Sequence, residues 1–224
     1  MESNPLAIDI LFRIGPIPIS RAVVTTWIIM GAIVLVAWLG MRHARVQGGS
    51  TLQVILETVV ETLEQQIREI VRRDPGPYLP LLGTLFIFLV CANLSAIVPG
   101  AKPPTGRIET PAALAGIVLL STHYFGIRMR GLGRYLQRYT KPSIILLPLN
   151  VLSEITRTFS LMIRLFGNMM SHEIVIAIVV LLAGLLLPIP FMLLGILIGL
   201  IQAYIFTILA AVFIGAAVGS IEAE

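Results

Sequence analysis

Charge is what this sequence lacks most. Only 12 % of its 224 residues are Asp, Glu, Lys or Arg, while 57 % are apolar and the mean hydropathy is +0.93. A soluble domain carries about 25 % charged residues, so this set is too small to cover a water-soluble body of this length. Disorder is excluded on the same ground, and no collagen or heptad repeat supports a fibre. Cysteine is nearly absent. The single Cys91, inside an apolar run, excludes an intrachain disulfide and a cysteine-based metal site. No Gly-rich phosphate loop, zinc spacing or Ser-His-Asp constellation occurs. Neither nucleotide chemistry nor a cofactor or metal is expected on this chain. Internal repeats and low-complexity segments are missing too. No signal-peptide pattern precedes the first apolar run, which starts near Ala22 and is too long for an h-region.

What remains is an integral membrane protein, all-α, and its spans can be read from charge-free stretches. Ala22 to Met41 gives 20 residues, Pro75 to Ala101 gives 27, Thr110 to Ile127 gives 18 and Ile174 to Ile221 gives 48. A span needs about 20 apolar residues. The pair Pro188 and Pro190 divides the last stretch, because proline removes a backbone donor and clashes with the preceding turn. Residues 1–21 form an outer N-terminal segment and 22–41 the first span. Residues 78–99 and 111–127 form a helical hairpin. Residues 143–187 and 190–219 form two long helices, making about five spans. Between the first two spans, Leu52, Ile55, Val59, Leu63, Ile67 and Ile70 recur every three or four residues. Glu57, Glu61, Glu64 and Arg68 share the other side. This predicts an amphipathic surface helix over 50–73, ended by Asp74-Pro75-Gly76-Pro77.

The formal charge is +4, from 16 basic and 12 acidic residues, and only Lys102 and Lys141 among the basic ones are lysine. An arginine-rich excess can signal nucleic acid, but here it clusters beside spans, so no nucleic-acid partner is expected. Arg42, Arg45, Arg68, Arg72 and Arg73 flank one connection. Arg128, Arg130, Arg134, Arg138 and Lys141 fill another. Arg13, Arg21, Lys102 and Arg107 are all that the other loops hold. The rich connections are predicted to be cytoplasmic, with the N-terminus outside and the C-terminus inside.

The segment 143–187 is unlike a lipid-facing helix. Forty-five residues would extend about 68 Å, twice the hydrocarbon thickness of about 30 Å. It carries Glu154, Arg157, Arg164 and Glu173, and each charge at mid-span costs about 2.5–3.5 kcal/mol. Asn150, Glu154, Arg157, Arg164, Asn168 and Ser171/His172 are spaced 4, 3, 7, 4 and 3–4 apart. That spacing holds them to one stripe. Such residues in a span mark an ion route, a sensor or a relay. Glu154 and Arg157 alternatively form an internal salt bridge with no further role. Arg164 has no acid nearby on its stripe, so its partner is expected on another helix or another chain. On the predicted orientation Glu154 lies on its cytoplasmic side, and His172 and Glu173 on its outer side. A guanidinium keeps its proton, so it suits a barrier between groups that can exchange one. In the last helix Gly195, Gly199 and Gln202 share a face. Gln202 needs a polar partner there, with Arg164 or Asn168 the candidates.

The run Arg164-Leu165-Phe166-Gly167-Asn168-Met169, followed by Glu173, resembles the signature of subunit a of rotary F-type ATP synthases. Asn93-Leu94 with Pro99, Gly126-Ile127-Arg128, and Gln202-Ala203-Tyr204-Ile205-Phe206 agree with it in order. The resemblance runs from about residue 50 to the C-terminus. It implies a non-catalytic, ion-translocating chain in a bacterial inner membrane. Partners would be a ring of c subunits, the b subunits and the rest of the synthase. The two long helices would tilt along the ring and provide two half-channels. By resemblance, Arg164 is the essential barrier charge facing a ring carboxylate. Asn168 and Glu173 match the family's positions after the motif, with Glu173 and His172 in the outer half-channel. Gln202 matches the last-helix glutamine, and Glu154 with Arg157 stands on the cytoplasmic side.

The chain departs from the family in places. Many members have Lys-Pro where this chain has Arg157-Thr158. Some have His where it has Gly195, and His172 is expected to supply that titratable group instead. No acid follows Asn93. Glu109 either lines the outer entrance or is a solvated loop charge. The Arg-Thr variant and short N-terminus are similar to an alternate branch that includes sodium-coupled complexes, so proton and sodium both remain open. A secondary transporter is the alternative, but it would show inverted repeats and broken helices in matching halves. A scaffold would gain nothing from an intramembrane arginine.

Overall fold

The computed structural model describes residues 10–14, 17–42, 51–97, 103–140, 145, 147–184 and 187–219. Arg45, Pro99, Lys102 and Lys141 lie outside these, as do the outermost residues of the expected segments 50–73, 78–99 and 143–187. Among the described residues seven α-helices follow in order: α1 Arg21–Met41, α2 Thr51–Val71, α3 Leu79–Leu94, α4 Glu109–Arg130, α5 Leu132–Thr140, α6 Leu147–Ala183 and α7 Pro188–Val218. Helices α1, α4, α6 and α7 are long and apolar enough to cross a membrane. Helix α3 is apolar but has 16 residues, about 24 Å, and a 3-10 turn at Ser95–Ile97 prolongs it.

This is the all-α membrane architecture that the composition implies. One addition was not foreseen: an antiparallel ribbon, β1 Ile10–Ile14 and β2 Ile17–Ser20, immediately before α1. Isoleucine at 10, 14, 17 and 19 suits extended backbone. The basic connection after α4 also holds the short helix α5.

Turn chemistry sets the helix limits. Arg72 takes φ 51°, and the Gly76 amide donates to the Asp74 carboxylate at 3.3 Å, so α2 stops where the Asp-Pro-Gly-Pro run begins. The amides of Tyr78 and Leu79 donate to the Pro75 carbonyl and start α3. Helix α6 stops sooner than its apolar pattern suggests, because Gly184 takes φ 73° and donates its amide to Val180. Helix α7 opens on Pro188, where the lost amide donor costs nothing.

Between helices in lipid, packing and polar contacts replace the hydrophobic effect. Accordingly α7 turns a face of small residues inward: Gly199, Ala203, Ala210, Ala211, Gly215 and Ala217 are buried. Against it lie Leu82 and Leu89 of α3, Leu114 and Val118 of α4, and Leu161 and Leu165 of α6. The C-terminal half of α2 joins this core through Ile67 and Val71, with Ile70 packed against it. The Tyr204 hydroxyl fastens α2 to α7 by donating to Gln66 at 2.9 Å. Ile55, counted in the apolar stripe of α2, is exposed. Farther along that stripe, Ile67 lies in the core and Ile70 packs against it.

Helix α6 is different. Its 37 residues make about 55 Å, and many of its apolar side chains, from Leu152 to Leu182, are exposed.

Helix α5 folds back on α4 through Tyr135, which is buried and stacks edge-on with His123. A Cβ on Gly126 would collide with the Tyr135 ring. Gly126→Val is therefore expected to cost about 1–3 kcal/mol of packing and to loosen α5. Faster tryptic cleavage after Arg134 in membrane vesicles, relative to wild type, is the measurement that checks this.

Candidate functional site

The stripe foreseen on α6 divides over three directions. Leu161, Leu165 and Met169 are buried and mark the side that faces the bundle. Arg157, Arg164 and Asn168 lie on one flank, toward α7, and all three are exposed. Glu173 follows Arg164 by nine residues, about 180° around the helix, and so occupies the opposite flank. Glu154 and His172 point closer to the bundle, and both are half-buried.

Arg164 makes no hydrogen bond or ion pair with any of the described residues. Its expected partner on a second helix is not supplied by the described residues of this chain. One turn on, the Asn168 amide donates to Gln202 Oε1 at 2.7 Å, so Asn168, of the two candidates, is the partner that Gln202 takes. Gln202 is buried, and its Nε2 has no partner among the described residues. A buried donor left so costs about 1–3 kcal/mol.

Glu154 and Arg157 do not form the internal salt bridge weighed from their spacing. The Arg157 guanidinium lies over the Phe213 ring, 4.8 Å from its centre, a cation–π contact between α6 and α7. The Glu154 carboxylate instead faces His123 of α4, with Oε1 3.7 Å from Nε2. His123 is not marked by the sequence pattern. A lone histidine in an apolar span carries no motif, and the cost of an ionisable group there was its only signal.

Beyond Asn168 along α6, two glycines receive the next two titratable groups, His172 and Glu173. A Cβ on Gly195 would collide with the His172 imidazole, and one on Gly106 would lie 2.6 Å from Glu173 Oε1. His172 thus fills the space over Gly195. Glu173 covers the buried 3-10 turn Pro104–Gly106.

Asn93 and Glu109 have structural partners. Asn93 is buried, its amide donates to the Gly199 carbonyl at 2.8 Å, and its Oδ1 accepts from the Thr105 hydroxyl at 2.9 Å. It pins α3, α7 and the 103–106 turn together. Glu109 is the first residue of α4 rather than part of a loop, where a carboxylate favours the helix dipole. It accepts the Ser20 hydroxyl at 2.8 Å, and borders an apolar cleft of about 520 Å³ between α1, α3 and α4.

Comparison with known proteins gives one consistent answer. The family model described as ATP synthase A chain matches residues 23–215. ATP synthase subunit a 2 of Bradyrhizobium sp. is 58 % identical over 221 residues, covering 99 % of both chains. ATP synthase subunit a 2 of Pelobacter propionicus is 46 % identical, covering 96 % of this chain and 93 % of its own. Subunit a of Albidiferax ferrireducens is 44 % identical, covering 93 % and 90 %.

The contact between His172 and Gly195 generates a reciprocal prediction. Gly195→His alone overpacks the α6–α7 junction, at a cost of about 1–3 kcal/mol. Adding His172→Gly to that variant is expected to restore most of the loss. Thermal unfolding of the purified protein in detergent checks both.

Proposed function

Because the chain belongs to the ATP synthase subunit a family, we propose that it is the stationary half of a proton path, with Arg164 as the fixed charge between an outer and a cytoplasmic half-channel. The family is the ion-translocating membrane subunit of the synthase, and the apolar helices suit a multi-pass protein of a bacterial inner membrane. On this reading the N-terminus is outside and the C-terminus cytoplasmic, since Arg128, Arg130 and Arg134 gather at one end of α4 and on α5.

The observation that carries the proposal is Arg164 itself. It is exposed at the edge of α6, beside the exposed Ile163, with no counter-charge among the described residues. A guanidinium in hydrocarbon needs an anion. The apolar flank around it needs cover. A ring of c subunits, each carrying one carboxylate, supplies both. The b subunits and the rest of the synthase complete the assembly. A permanent cation holds the ionised form of each arriving carboxylate. It also bars a proton from crossing directly, because it cannot pass one on. The two half-channels then load and unload the ring carboxylate on opposite sides of that barrier. Each charge moved gains about 2.3 kcal/mol per 100 mV.

The other residues take graded parts. Asn168 and Gln202 brace the flank that bears Arg164. A pair that leaves a buried amide donor unmatched is better explained by function than by stability. His172 and Glu173 serve the outer half-channel. Glu154 serves the cytoplasmic one, and Arg157 holds α6 to α7 through Phe213. Asn93 and Glu109 position elements. On this reading the chain moves protons and catalyses no ATP chemistry itself.

Arg164→Ala is expected to abolish coupled ATP synthesis in membrane vesicles while the complex still assembles; unimpaired synthesis would reject the proposal. Gln202→Leu is expected to slow synthesis less, since the fixed charge remains. The proton is tested separately. External sodium is expected to give the assembled complex no protection against carboxylate-modifying reagents, and protection would identify sodium as the coupling ion.

A further inference from the structure

The reading above leaves one titratable contact without a part. His123 on α4 and Glu154 on α6 stand at matching depth. His123 lies seven residues before the end of α4 at Arg130, and Glu154 seven residues after the start of α6 at Leu147, each about 10 Å from the basic end. They meet at the edge of a cleft of about 460 Å³ between α4, α5 and α6. Of the described residues that line it, those that titrate are His123, Tyr135 of α5 and Glu154; the rest are leucine, isoleucine and valine. Helix α7, packed on both α4 and α6, carries no charged residue.

The imidazole is oriented by its other nitrogen. Nδ1 lies 2.8 Å from the Leu119 carbonyl, which can only accept, so Nδ1 carries the hydrogen. Nε2 is therefore the atom that gains or loses a proton, and it is the one that faces Glu154. A structural pin between two helices would be buried and short. This pair is neither: the oxygen and nitrogen are 3.7 Å apart, and the histidine side chain is 40 % exposed against 21 % for the glutamate. The glutamate is thus the inner member and the histidine the outer.

We propose that His123 is the terminal proton-exchanging group of the cytoplasmic half-channel, working between Glu154 and cytoplasmic water. In the synthesis direction the O–H bond of protonated Glu154 breaks and an N–H bond forms at His123 Nε2, leaving a carboxylate and an imidazolium. The imidazolium then gives that proton to water in the cleft and returns to neutral. In ATP-driven pumping both transfers reverse. This relay rests on the reading of the chain as a proton path whose basic end is cytoplasmic.

The test uses the whole synthase in inverted vesicles, with membrane-bound ATP hydrolysis as the measure of assembly. His123→Ala and His123→Gln are expected to assemble and to pump protons several-fold more slowly than wild type. Free imidazole in the medium is expected to restore a large part of the His123→Ala rate, because the cleft can admit the missing base. Wild-type pumping in both variants overturns the relay, as does slow pumping that imidazole does not restore. Failure of His123→Gln to assemble would mark a structural pin and also overturn it. Arg164→Ala, measured beside them, separates the two claims. If it pumps normally, the underlying reading falls. If it is inactive while the His123 variants behave as wild type, the relay alone falls.

Discussion

A guanidinium on an apolar helix edge, with no anion from the described residues of its own chain, is the constraint on which this molecule turns. Left in hydrocarbon, such a charge costs several kcal/mol. That cost is bearable where an outside group meets it for part of the time. The surroundings of Arg164 hold its position without neutralising it. Asn168 joins α7 through Gln202, and Arg157 joins it through Phe213. Both contacts lie on the arginine's own flank, one turn after it and two turns before it. The flank is thereby held against α7, and the guanidinium stays free to answer a partner.

A second regularity links packing to chemistry. Several glycines of the bundle are sockets for polar or aromatic side chains from another element. Gly106 receives Glu173, Gly195 receives His172, Gly199 receives Asn93, Gly126 receives Tyr135 and Gly219 receives Arg130. In lipid, a polar group is tolerated where it is shielded by protein. A glycine opposite it lets the backbone come close enough to do so. The Gly195-x-x-x-Gly199 spacing in α7 reads at first as a helix-packing motif. In the fold its two members instead house an imidazole and an amide.

The sequence discloses helices far better than it discloses contacts. Apolar runs without charge are sufficient to locate α1, α4 and α7, because length and hydropathy alone decide them. Their limits depend on local chemistry that periodicity does not carry. The early stop of α6 depends on the left-handed backbone of Gly184, and the ribbon before α1 on a preference of isoleucine that hydropathy does not register. At the candidate site, the bond between Asn168 and Gln202 was legible because a buried amide must find a partner and few were available. The partner of Glu154 was not. Arg157 at i+3 offered an obvious one, and only the packing of α4 on α6 brings His123 closer. Spacing orders groups along one helix, but a neighbouring helix decides which of them meet.

Placing Arg164 and Glu173 on opposite flanks of α6 changes what the polar stripe can be. A file of groups along one face would let protons hop past the arginine, because a barrier that is merely one member of a row can be stepped over. Here Glu173 lies over the turn at 104–106 and the arginine lies toward α7, with the body of the helix between them. Glu154 is ten residues before Arg164, about 15 Å along the axis and about 80° around it. On the proposed reading neither half-channel runs straight into the other. Each reaches the ring from its own side of α6, and the only continuous route between them is the rotor carboxylate that Arg164 awaits. On that reading helix geometry separates the two paths before the fixed charge acts, and the charge has only to guard the one place where they converge.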